Sequence, residues 1–142
     1  MSSAHTTPDT AAGPNLRRIA ALVGGDTVAF MVFAAIGRSS HGEAAGLDAL
    51  LQVAGTAAPF LAGWFIVAPT LGAYGPKTIG VRLMLARTAL AWVAAWPVGL
   101  GLRALALQRS IPISFAIVTF VTVLAILMVW RGLFALFSLR RA

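Results

Sequence analysis

The chain has 142 residues, of which 59% are hydrophobic and 11% charged, with no cysteine and a formal net charge of +7 at pH 7. That apolar fraction lies above the roughly 45 to 50% of soluble domains, and one core of this size cannot hide so much apolar surface from water. The absence of cysteine removes disulfides, thiolate nucleophiles and cysteine-ligated metals.

The apolar residues come in runs rather than in period-2 alternation, which reads as helices and not as strands of an outer-membrane barrel. The fold class expected is all-α, an integral membrane bundle. Residues 1–15, MSSAHTTPDTAAGPN, have no apolar period and are read as a flexible tail. The stretch from Arg18 to Arg38 carries Asp26 as its sole charge and predicts a first transmembrane helix over 19–37. A cleavable signal peptide is the alternative there. The run is too long for one, Asp26 interrupts it, and no small-x-small cleavage site follows.

A polar loop, GRSSHGE, occupies 37–43, and Asp48 to Lys77 then encloses uncharged residues that predict a second helix over 49–70. Pro59 cannot donate to the carbonyl of Gly55, so a kink is expected at that point. Gly55, Pro59 and Gly63 share one face, suited either to close helix packing or to unwound backbone lining a cavity. The 15 residues between Arg87 and Arg103 make only about 22 Å of helix, short of a hydrocarbon core of about 30 Å. The third helix is therefore expected over 88–108, carrying Arg103 inside it and able to kink at Pro97. A fourth helix is expected over 111–130, with Pro112 in its first turn, followed by a basic amphipathic tail over 132–142 lying in the interface.

Basic residues set the orientation. Arg17, Arg18, Lys77, Arg82, Arg87, Arg131, Arg140 and Arg141 fall on one side, and Arg38, Arg103 and Arg109 on the other. The richer side faces the cytoplasm, so both termini are expected inside a plasma (inner) membrane and GRSSHGE outside. These charges stand singly at segment ends, which reads as anchoring to the lipid bilayer and not as a nucleic-acid surface.

Asp26 is the main candidate site. An ionised carboxylate at that depth costs a few kcal/mol, so it is protonated, paired or facing a wet interior. One reading is a proton- or cation-binding carboxylate, and the other is a buried structural pair. Arg87 could reach inward to it, whereas Arg103 lies about 10 Å nearer the opposite surface and could reach outward to Glu43, Asp48 or loop carbonyls. Arg38, His41, Glu43 and Arg103 form the second candidate, an outer-face polar cluster able to bind an anionic solute or pass protons. No metal is expected, since His41 and Glu43 lack further ligands and His5 lies in the tail. Neither a cofactor nor an enzymatic constellation emerges. Trp64, Trp92 and Trp96 read as packing residues, and Tyr74 and Trp130 as interfacial ones. Ala20, Gly24, Gly25 and Ala29 form small-residue pairs for close helix approach.

The aspartate in the first helix (Asp26), GRSSHG (Gly37 to Gly42), APFLAGW (Ala58 to Trp64), Arg103 and RSIP (Arg109 to Pro112) resemble the membrane family called domain of unknown function 3054. The resemblance runs over about residues 16–131 and implies a small four-helix membrane protein, with no activity attached. Charge placement leads to the expectation of a small proton- or cation-coupled transporter or channel-like protein, made a homo-oligomer by the narrowness of four helices. The alternative is an accessory or assembly subunit of a larger membrane complex.

Overall fold

A computed structural model describes residues 13–39, 46–75 and 80–141, with side chains from Leu16 onward. Four helices make up the described regular structure: α1 (Gly13–Ser39), α2 (Leu47–Thr70), α3 (Val81–Leu107) and α4 (Ile113–Arg140). Each is long and apolar enough to cross a membrane. They pack as a ring, α1 on α2, α2 on α3, α3 on α4 and α4 back on α1. The start of α1, the end of α2, the start of α3 and the end of α4 share one end of this bundle, called here the terminal end. The end of α1, the start of α2 and the α3–α4 connection share the other.

Composition explains both the helices and their arrangement. Val28, Ile66, Leu90 and Val129 are exposed around the outside, an apolar belt suited to hydrocarbon, where helices are favoured because they satisfy their own backbone groups. Inside, Phe30, Phe60, Trp64, Trp92 and Leu127 are fully buried. Their rings form a continuous column: Phe33 meets Phe60 at 6.0 Å, Phe60 meets Trp92 at 6.4 Å, Phe30 meets Trp92 at 5.6 Å and Trp64 at 6.1 Å. Edge and tilted contacts of this kind suit the ring quadrupoles.

Glycines set the two tightest seams. A Cβ on Gly63 would lie 2.9 Å from the backbone nitrogen of Gly99 and 3.0 Å from the Ala95 oxygen, so α2 and α3 touch backbone to backbone. A Cβ on Gly25 would overlap the Trp130 indole, so that ring of α4 rests directly on the backbone of α1. Of the predicted small-residue faces, Gly24 and Gly55 meet open space instead.

The second helix runs two residues beyond its expected start, whereas the other three are longer than predicted. Helix α1 takes in 13–15 from the expected tail, and α3 begins at Val81 rather than at 88. The correction with most consequence concerns α4. It runs unbroken to Arg140, so the segment expected as a separate interfacial tail from 132 is the last part of a helix. The reason is shared: neither a single arginine nor the Arg17–Arg18 pair ends a helix, for which arginine is a good former. Met84 and Ala135 from these extensions pack with Leu22 in a second small core. Pro59 and Pro97 lie within continuous helices, and Pro112 stands at the N-cap of α4.

Candidate functional site

Two polar assemblies occupy the bundle, one near each end. Nearer the terminal end, Asp26 and Arg131 are both fully buried and form a two-pronged ion pair. Arg131 Nε donates to Asp26 Oδ1 at 3.0 Å and Nη2 donates to Oδ2 at 2.6 Å. Trp64 Nε1 also donates to Oδ2 at 3.0 Å, and the Tyr74 hydroxyl donates to the same oxygen. Trp64 Nε1 lies 2.8 Å from the Tyr74 hydroxyl as well, which leaves that hydroxyl accepting from one neighbour and donating to the other. The remaining prong of the guanidinium, Nη1, donates to the carbonyl of Ala73 at 2.8 Å. The Trp64 and Tyr74 rings lie 5.2 and 4.8 Å from its centre, within range of cation–π attraction.

A charge pair in low dielectric is tolerable only when both partners are hydrogen-bonded as well as paired. This one meets that condition, with four donated bonds converging on one carboxylate. Helix α1 supplies Asp26, α2 supplies Trp64, the α2 exit turn supplies Tyr74 and Ala73, and α4 supplies Arg131. The turn is further clasped by Arg18, which donates to Gly75 O at 3.2 Å, and by Arg87, which donates to Gly72 O at 3.3 Å. Gly72 adopts φ +72° there, a conformation natural to glycine. Arg87, expected to reach inward to Asp26, is thus spent on the turn, and Arg131 takes its place. Tyr74 and Trp64, read from the sequence as interfacial and packing residues, belong to this network.

Tyr74 makes the network sensitive to alkali. Burial, then the Asp26 charge and its hydrogen bond, raise the hydroxyl's pKa above its usual value of 10.0. Folding therefore favours the protonated phenol, and its contribution is complete below the unfolded pKa. Above about pH 10 the unfolded chain ionises first, and stability falls as pH rises. Tyr74→Phe is expected to cost about 1 to 2 kcal/mol at neutral pH through the lost donor. It should also flatten the decline above pH 10, both read from unfolding of the detergent-solubilised protein.

The second assembly is an open cavity of about 1000 Å³ at the opposite end. All four helices line it. Phe33, Gly37 and Arg38 come from α1, Gln52 and Thr56 from α2, Arg103 from α3, and Ser114, Phe115, Val118 and Thr119 from α4, with Arg109 and Pro112 from the α3–α4 connection. Gln108 closes α3 in the left-handed region, φ 52°, and its backbone N–H reaches back to Leu105 O. The chain reverses at that point, which brings Arg109 to the same mouth as Arg103. Arg103 stacks 4.6 Å from the centre of the Phe115 ring, and Arg38 donates to Gln52 Oε1. At the floor, Thr119 is fully buried and its hydroxyl makes no hydrogen bond among the described residues.

Of the predicted outer cluster, Arg38 and Arg103 meet in this cavity, while His41 and Glu43 lie outside the described residues. No acidic side chain lines the cavity among the described residues. No group of three or more metal-ligating side chains occurs among them either. The aromatic column separates the two assemblies, with Phe33 at the cavity and Trp64 at the ion pair.

No curated protein and no solved structure matches this sequence. The family described as "protein of unknown function (DUF3054)" matches residues 23–134, a span that takes in Asp26, Arg131 and every described residue of the cavity. The chain belongs to that family, DUF3054.

Proposed function

We propose that this chain is a multi-pass plasma-membrane protein of the transporter or channel-like kind whose ligand is an anion, received in the arginine-lined cavity. Both termini lie in the cytoplasm in this reading, which follows the excess of arginine and lysine at the terminal end. The observation that carries the proposal is the convergence of Arg38, Arg103 and Arg109 on one cavity with no acidic lining residue among the described ones. Rings of basic side chains favour anions and repel cations, as they do in anion-selective pores. Arginine in particular offers a planar fork that matches phosphate and carboxylate oxygens.

The proton- or cation-exchange role expected for Asp26 receives less support than its alternative, a structural pair. A cation arriving at Asp26 would have to displace a guanidinium already bound through two bonds. It would also find Arg18 and Arg87 on the adjoining turn. The packed rings of Phe33, Phe60, Trp92 and Phe30 stand between the two assemblies.

A ligand that binds the folded state raises its stability by an amount that grows with concentration. Inorganic phosphate is therefore expected to raise the melting temperature of the purified protein saturably, beyond potassium chloride at matched ionic strength. Arg103→Gln should weaken that effect about 10- to 100-fold, the loss of one charge-assisted contact. An equal response to both salts, or an unchanged one in Arg103→Gln, would remove the basis for the proposal.

A further inference from the structure

Resting on that reading, we infer that the anion is the phosphate headgroup of a membrane lipid, entering sideways between α1 and α4. Three observations point the same way. The first is size: about 1000 Å³ is at the upper end of pockets that take drug-sized molecules, far more than an inorganic ion fills. The second is the lining, which sets Arg38, Arg103 and Arg109 beside apolar Phe33, Ala34, Pro112, Phe115 and Val118. An amphiphile matches such a mixed wall; a free, hydrated ion leaves the apolar part empty.

The third is the shape of the α1–α4 seam. At the terminal end the two helices are locked by the Asp26–Arg131 pair and by the contact of Gly25 with Trp130. Toward the cavity, a Cβ on Gly37 would meet no atom of the described residues within 4 Å, which leaves room beside α1 there. On the facing helix, Val118 lines the cavity and is 59% exposed. The cavity therefore continues out to the apolar belt at that flank. The planar guanidinium fork matches the oxygens of a lipid phosphate in charge and in hydrogen-bond geometry. The unpartnered Thr119 hydroxyl at the floor supplies a further donor within the same pocket.

Native mass spectrometry of the purified protein, offered phosphatidic acid and phosphatidylcholine of identical chains, tests the inference. The wild type is expected to retain phosphatidic acid about tenfold more strongly, and Arg103→Gln to lose that preference. Gly37→Phe fills the side entrance with all three arginines in place. It should lose the lipid preference. Thr119→Val, which keeps side-chain volume, provides a second variant should Gly37→Phe not fold, and it should weaken lipid retention without lowering the melting temperature of the empty protein. Lipid retention unchanged in both Gly37→Phe and Thr119→Val would overturn the lateral lipid seat, even where the phosphate effect still depends on Arg103. Should neither ligand depend on Arg103, the inference and the proposed function fall together.

Discussion

Arg131→Met is expected to lower the unfolding free energy by about 3 to 5 kcal/mol, the usual cost of leaving one member of a buried pair without the other. Asp26 would keep the donors of Trp64 and Tyr74 but lose both guanidinium bonds. The carboxylate has no route to water from a fully buried position. Ala73 would also lose its donor, which loosens the α2 exit turn. The double variant Asp26→Asn with Arg131→Met should recover most of the loss. An amide still accepts from Trp64 and Tyr74, and a methionine fills the space without a charge. Denaturant unfolding of the three variants in one detergent makes the comparison, and coupling shows as a double variant more stable than Arg131→Met alone. A double-variant loss equal to the sum of the two single losses would mean that the two side chains act independently.

Gly63→Leu should be as damaging for a different reason. Any Cβ at that position meets the backbone of Gly99 and Ala95, and backbone cannot rotate aside as a side chain can. Even Gly63→Ala is expected to cost about 1 to 3 kcal/mol by overpacking, with leucine forcing α2 and α3 apart. Gly55→Ala is the matched control, two helical turns away on the same helix. Its Cβ would enter open space, so the gain in helix propensity should leave it neutral or up to about 1 kcal/mol more stable. Melting of the two alanine variants side by side checks the contrast. Similar losses in both would mean that glycine matters here for flexibility and not for contact.

The four-helix architecture was legible because a membrane-length apolar run is a strong signal, and α2 was placed to within two residues at either end. Helix ends that lie beyond an arginine are less legible, because a charge at the edge of an apolar run reads as a boundary. Arg131 is the clearest instance. Its position reads as a cytoplasmic anchor and not as a partner to Asp26. A signal was nevertheless present, since the apolar spacing of GLFALFSL continues the helical pattern past Arg131 to Arg140. Asp26 stands eight residues inside Arg18 and Arg131 nine residues inside Arg140, about 12 and 13 Å of helix at 1.5 Å per residue. Antiparallel helices place those two depths side by side.

Tyr74 and Trp64 were beyond such reasoning. Their roles depend on how the LGAYG turn folds back over the end of α2, a tertiary feature without a periodic trace. The cavity was half legible: Arg38 and Arg103 were grouped through their shared depth, whereas Arg109 joins them by the left-handed reversal at Gln108. Thr119, seven residues into α4, carried no sequence signal at all.

The sign of the ion is the most direct contest between the two functional readings, and isothermal titration of the purified protein decides it. Saturable heat is expected with inorganic phosphate, retained in a folded Asp26→Asn variant and lost in Arg103→Gln, with no saturable heat from sodium or potassium. Saturable cation binding or proton uptake that disappears in Asp26→Asn, with no phosphate response in the wild type, would contradict an arginine-lined anion site and return Asp26 to the centre of the chemistry.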